Sequence, residues 1–194
     1  MKITGGYLKG QKLFLPPPKD LSIRPLRSRI RKSLFDLLGQ DLSEAKVLDL
    51  FSGTGALGIE ALSRGADLVF FVDFSNLSLS LIHKNLEKLK LTEKALVLKL
   101  KLPEGLSKLS QAYPQVKFDL VFITPPYKTG LSLKTLKALP TEILDQEAII
   151  MVEEATGIPL PEKTDRFVLI KVKTYGETTL YFYQPVIPNT EEDS

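Results

Sequence analysis

The sequence predicts an α/β fold: a doubly wound, mostly parallel sheet preceded by a small basic β-hairpin. Three observations predict it. An apolar run at 47–51 is followed by glycines at G-x-G-x-x-G spacing, Gly53, Gly55 and Gly58, which reads as strand, tight turn and helix start. Strand-like and helix-like segments then alternate down the chain, the pattern of parallel strands with helical crossovers. Several strands, such as Leu68-Val69-Phe70-Phe71-Val72, are apolar throughout, as a sheet covered on both faces requires.

In order, residues 2–15 alternate loosely around Gly5-Gly6 and Gly10 and read as a short hairpin. Pro16-Pro17-Pro18 ends it as a stiff linker. Ser28 to Leu38 carries an apolar stripe (Ile30, Leu34, Phe35, Leu37, Leu38), with Gly39 as its C-cap. Strands are expected near 46–51, 68–73, 96–101, 118–123 and 148–153, and helices near 55–64, 76–90, 104–112 and 131–139. Residues 167–173 and 178–184 form a closing hairpin across Tyr175-Gly176-Glu177. This divides the chain into a basic hairpin and linker over 1–18, the α/β domain over 19–187, where the core is expected to begin, and a flexible acidic tail over 188–194.

The 194 residues suffice for one domain, and 43% hydrophobic with 25% charged residues is ordinary for a soluble protein. The absence of cysteine excludes disulfides and thiolate metal sites, and one histidine leaves no common zinc site. That histidine, His83, lies among Lys84, Asn85, Glu87 and Lys88 and is expected at the surface. No apolar leader or membrane-length run is present, so a cytoplasmic protein, without metal or membrane partner and monomeric, is expected. Net charge is only +3, but residues 1–32 hold nine Lys and Arg against one Asp, while the remainder holds 17 basic and 22 acidic residues. A basic segment on a mildly acidic body is the footprint of a polyanion binder.

Ligands of doubly wound sheets bind outside the carboxyl ends of the strands. Asp49–Gly58, Asp73 and Thr124–Tyr127 all fall at such ends. The glycine loop brings backbone N–H groups to a ligand, and Asp73 can accept two ribose hydroxyls. Both features suit a dinucleotide as well as a nucleoside cofactor. Asp49 separates them: an acid beside the loop repels a pyrophosphate but attracts the ammonium of S-adenosylmethionine. At Thr124-Pro125-Pro126-Tyr127 two prolines lock a turn that presents carbonyls without competing N–H groups. Tyr127 can stack on a planar base, and acceptors that hold an exocyclic amine's hydrogens aim its lone pair at a methyl donor.

These residues resemble the bacterial 16S rRNA guanine-N2 methyltransferases of the RsmD type. The resemblance runs from GGYLKGQKL through IRPLRSRIRKSLFDLL, VLDLFSGTGALGIEALSRGA, VFFVDFSN and FDLVFITPPY to IIMVEE and YGETTLYFY. It implies a class I S-adenosylmethionine-dependent, Rossmann-like methyltransferase fold and methyl transfer to a guanine amine of 16S rRNA, free or in the assembling 30S subunit. By position, Asp49, Phe51, Ser52, Gly53, Thr54, Gly55, Asp73 and Phe74 would hold the cofactor. Residues 124–127 would form the catalytic turn, and Lys2, Lys9, Lys12, Arg24, Arg27 and Arg29 would contact RNA. The family turn normally opens with Asp or Asn, and this chain has Thr124. The acid usual near the end of the third strand is also absent, the stretch here being Lys99-Leu100-Lys101-Leu102. Those departures leave two alternatives: a catalytically weakened RNA-binding paralogue, and an amino-methyltransferase acting on protein or a small molecule.

Overall fold

The computed structural model describes residues 1–17, 23 and 25–186. The seven strands are β1 (Lys46–Leu50), β2 (Leu68–Asp73), β3 (Ala95–Lys99), β4 (Phe118–Ile123), β5 (Leu144–Ala155), β6 (Phe167–Tyr175) and β7 (Thr178–Pro185). They form one sheet in the order β3-β2-β1-β4-β5-β7-β6. The first five are parallel; β7 runs antiparallel to both β5 and β6. Helices α1 (Ser28–Leu38), α2 (Ala56–Ser63), α3 (Asn76–Leu89), α4 (Leu106–Ala112) and α5 (Leu131–Ala138) flank it. The expected class and element order are therefore present, with boundaries shifted by a few residues. The largest difference is β5, which begins at Leu144 because a bulge lets Phe118 and Leu120 of β4 pair with Leu144 and Ile149.

Two apolar clusters lie on the two faces. One joins α1, α2 and α3 to Val47, Val69, Phe71 and Phe122. The other joins α4 and α5 to Leu48, Phe70, Val121 and Tyr183. Alternate residues of one strand feed opposite clusters, which is why these strands read as apolar without interruption.

The N-terminal segment forms the expected hairpin in minimal form: an antiparallel bridge pairs Lys2 with Lys12, the Ile3 N–H donates to the Gln11 carbonyl at 2.9 Å and the Leu13 N–H to the Met1 carbonyl at 3.0 Å. Its packing differs from the expectation. Ile3 and Leu13 are buried in the first core cluster, so that cluster starts before the proline linker rather than after it. Residues 1–14 lie across α2 and α3. The Tyr7 N–H bonds the Ser63 carbonyl at 2.8 Å, and the Leu8 N–H bonds Ser63 Oγ at 3.0 Å. This cover explains why all eight residues of α2 are buried.

Beneath the segment, Glu60 is fully buried between Arg31 at 3.2 Å and Arg64 at 3.0 Å. Glu60 also accepts the Thr4 N–H and, at 2.6 Å, the Thr4 hydroxyl. Arg31 donates onward to the carbonyls of Lys2 and Leu26. Arg31 thus belongs to the interior, not to the basic surface that its place in the sequence suggests. The expected tail and Arg24 lie outside the described residues.

Candidate active site

Because β2, β1, β4 and β5 are neighbours and parallel, their carboxyl ends line one edge of the sheet, about 14 Å across three inter-strand steps. A cavity of about 460 Å³ opens along that edge. Its walls include Asp49, Phe51–Thr54, Asp73, Phe74 and Thr124–Tyr127, so the structure brings together all the expected cofactor and catalytic residues except Gly55.

Gly55 acts one step behind the wall. It starts α2 in the left-handed conformation (φ 76°), and its N–H closes the turn onto the Ser52 carbonyl at 2.7 Å. Gly58 is required by packing rather than by a ligand. A Cβ there would meet the Phe71 ring at 2.3 Å, so glycine is what lets α2 press onto β2. Ser52 ties the two strand ends: it donates to the Asp49 carbonyl at 2.6 Å and accepts from the Val72 N–H at 2.9 Å.

Asp49 is 1% exposed. One carboxylate oxygen accepts the Gly58 N–H at 3.1 Å; the other has no partner among the described residues. Burial pushes its pKa up to about 7, against the pull of the Gly58 N–H and with a small push from Asp73. An orphaned, buried carboxylate facing a cavity is a socket for a cation that can also donate hydrogen bonds. Asp73 is half-exposed at the end of β2, and its two oxygens accept the N–H groups of Gly53 and Ser75, both at 2.9 Å. Phe74 follows it, 62% exposed, with Lys99 5.8 Å from its ring centroid.

At the other end of the cavity, the Thr124 hydroxyl lies 3.5 Å from each of the carbonyls of Leu50 and Phe51, long contacts to which it can donate. Its lone pairs are left to accept. Pro125 is buried, Pro126 is exposed, and Tyr127 is held by its hydroxyl, which donates to Glu153 and shares a 2.8 Å hydrogen bond with Thr178.

Glu153 also lines the cavity and was not anticipated; it follows the apolar run Ile149–Val152 within β5. Ile23, Pro25 and Leu26 complete the wall; Ile23 lies against Gly53.

The family description "Conserved hypothetical protein 95" matches residues 1–184. Ribosomal RNA small subunit methyltransferase D of Haemophilus influenzae is 34% identical, over 95% of this chain and 93% of its own length. The Escherichia coli K12 protein of the same name is 32% identical, over 95% and 89%. The chain belongs to the RsmD family. Solved structures agree: the Escherichia coli protein yhhF superposes with a TM-score of 0.77 at 30% identity, covering 95% of this chain and 97% of that one. A protein from Thermus thermophilus gives 0.77 at 27%, covering 94% and 98%. The fold is thus the Rossmann-like methyltransferase fold, and methyltransferase is the enzyme class of this family.

Of the expected RNA contacts, Lys2, Lys9, Lys12, Arg27 and Arg29 are exposed, and Arg27 reaches Glu177 at 3.9 Å in a solvent-screened pair. The basic segment is anchored beside the glycine loop through Asn85. Asn85 accepts the Phe14 N–H at 2.6 Å and donates to the Thr54 carbonyl at 3.1 Å. Among the described residues no three His, Cys, Asp or Glu side chains gather as a metal site, no helix is long and apolar enough to cross a membrane, and His83 is exposed.

Proposed function

We propose that this RsmD-family protein transfers a methyl group from S-adenosylmethionine to the exocyclic N2 amine of a guanine in 16S rRNA. The observation that carries the reading is one cavity holding two different kinds of acceptor. Buried Asp49 and half-exposed Asp73 flank a glycine loop at one end, and the Thr124–Tyr127 turn lies at the other.

The residues fit that cofactor. The orphaned Asp49 oxygen suits an ammonium, and Asp73, oriented by Gly53 and Ser75, suits a ribose diol. A pyrophosphate would meet a buried acid, which argues against a dinucleotide. Exposed Phe74 offers a face for an adenine ring. When bound, S-adenosylmethionine supplies an electrophilic methyl on a sulfonium.

A guanine amine is a poor nucleophile because its lone pair is conjugated with the ring. Thr124 Oγ and the carbonyls of the proline turn accept the amine's hydrogens and favour a pyramidal nitrogen. Tyr127, fixed by Glu153 and Thr178, gives the base a rigid surface to stack on. Lys2, Lys9, Lys12, Arg27 and Arg29 supply the phosphate contacts that an RNA substrate needs. The relatives named as ribosomal RNA small subunit methyltransferase D support that substrate.

The test is transfer of labelled methyl from S-adenosylmethionine to 30S subunits lacking native guanine-N2 methylation, followed by nucleoside analysis. N2-methylguanosine in the 16S rRNA is the expected product; its absence, with cofactor bound, would sink the reading.

A further inference from the structure

Tyr7 is the most exposed large apolar side chain among the described residues, at 69%. A lone exposed aromatic is ordinary, but this one stands on a clamped backbone. Its N–H bonds the Ser63 carbonyl at 2.8 Å, the Leu8 N–H bonds Ser63 Oγ at 3.0 Å, and Ser63 Oγ donates to the Gly5 carbonyl at 2.7 Å. Gly6 lies so close that a Cβ there would be 1.8 Å from the Ser63 carbonyl oxygen. The hairpin tip is thus fixed to the last residue of α2 while its ring stands in solvent. Phe14 repeats the arrangement at the other end of α2, about 12 Å away along the helix. Its backbone is held by Asn85, which also holds the Thr54 carbonyl, and its ring is 47% exposed with Leu15 next to it at 42%. Exposed Lys2, Lys9 and Lys12 share the segment, and Lys88 lies 4.9 Å from the Phe14 ring centroid. Residues 1–19 include no acid.

We infer that Tyr7 and Phe14 are stacking platforms for unpaired bases of the RNA, so that the substrate crosses the outer side of α2 as a single strand. This rests on the RNA-substrate reading above and goes beyond the phosphate contacts given there to the lysines. Lysines alone would serve a duplex, whose phosphates face outward and whose base faces are covered by their neighbours. A ring can take a base face only where the strand is unpaired, and every base offers such a face. Cations that follow the backbone, interleaved with aromatics that take the bases, are how proteins grip single-stranded nucleic acid. An aromatic side chain has only two torsions to fix, and the clamped backbone leaves nothing further to order when a base stacks. The lack of acids on the segment suits a polyanion rather than a second copy of this chain, whose own segment would carry the same charge.

The test uses the full-length protein and three probes: a single-stranded RNA oligonucleotide, the duplex of the same sequence, and 30S subunits lacking native guanine-N2 methylation. Tyr7→Ala is expected to weaken binding to the single strand and to the subunit about fivefold or more, with little change on the duplex. The slope of log affinity against log salt is expected to stay at the wild-type value, because no phosphate contact is lost. Tyr7→Phe is expected to bind as the wild type does, since it keeps the ring. Phe14→Ala is expected to behave as Tyr7→Ala does. The melting temperature of Tyr7→Ala and its calorimetric affinity for S-adenosylmethionine are expected to be unchanged. Equal weakening on single strand and duplex would overturn the inference, as would a loss shared by Tyr7→Phe, which would assign the contact to the hydroxyl. Weakening on the 30S subunit but not on protein-free 16S rRNA would overturn it in favour of a ribosomal protein. A change of oligomeric state in Tyr7→Ala would overturn it in favour of a second copy. Failure of the wild type to bind any of the RNA probes would bring down the RNA-substrate reading itself, a result distinguishable because no variant is needed to obtain it.

Discussion

Asp73 accepts the backbone N–H of Gly53 at 2.9 Å, so the acid at the end of β2 also fixes the glycine loop that follows β1. Its second oxygen accepts the Ser75 N–H, at the start of α3. A carboxylate held by two amides has few orientations left to lose when it binds a diol.

Asp73→Ala should therefore weaken S-adenosylmethionine binding tenfold or more. Hydrogen bonds to a charged acceptor contribute about 1.5–3 kcal/mol, and the loop also loses its tether. Asp73→Asn keeps one acceptor and should fall between. Calorimetry on the folded variants decides: unchanged affinity removes Asp73 from the site.

Asp49 gives a pH-dependent prediction. Its folded pKa of about 7 lies above the value near 3.9 of an unfolded chain. Between those values the native state holds a proton that the unfolded state has released. Its contribution to stability is thus complete below about pH 4 and is lost as pH rises to 7. Asp49→Asn removes that loss. Wild type and variant should melt at similar temperatures near pH 4. The variant should gain up to roughly 4 kcal/mol as pH approaches 7, then hold that advantage. The same substitution should weaken S-adenosylmethionine binding, and wild-type affinity should drop as pH falls below 7. A stability difference that does not change between pH 4 and 7 would refute the buried acid.

The N-terminal segment yields a prediction that its composition conceals. Removing residues 1–15 takes Ile3 and Leu13 out of the core, at about 1.5–3 kcal/mol each, and exposes the Arg31–Glu60–Arg64 cluster. The truncated chain should melt far lower or fail to fold. Changing exposed Lys2, Lys9 and Lys12 to Gln should leave the melting temperature in place. It should flatten the slope of log affinity for RNA against log salt by about 2–3. A salt slope equal to that of the wild type would mean these lysines are not RNA contacts.

What the sequence conveyed follows from locality. The glycine loop, the acids at strand ends and the proline turn are each one short motif, and the alternation of elements places their strand ends on one edge. Gly53, Asp73 and Thr124 were therefore legible. Glu60 and Ser63 of α2 and Arg64 at its C-cap were not: polar side chains there suit a solvent face, and only the overlay of residues 1–14 buries them. Arg31 reads as one more basic residue for the same reason. Glu153 needed the register of β5 against β4, a pairing that no local pattern encodes.

Thr124 opens the proline turn that follows β4 and lines the cavity. Its hydroxyl lies 3.5 Å from the carbonyls of Leu50 and Phe51, a weak contact for its proton that leaves its lone pairs able to accept from an amine. Thr124→Val keeps the shape and removes that acceptor, and methyl transfer should slow tenfold or more, with S-adenosylmethionine affinity unchanged. Thr124→Asp supplies a charged acceptor, which forms the stronger hydrogen bond, and should hold or raise the rate. Single-turnover transfer to 30S subunits lacking native guanine-N2 methylation measures both. Comparable rates for wild type and Thr124→Val would refute the role of the hydroxyl and leave the proline-turn carbonyls to orient the amine. An inactive wild type rescued by Thr124→Asp would show instead that cofactor and RNA sites persist around a turn that has lost its chemistry.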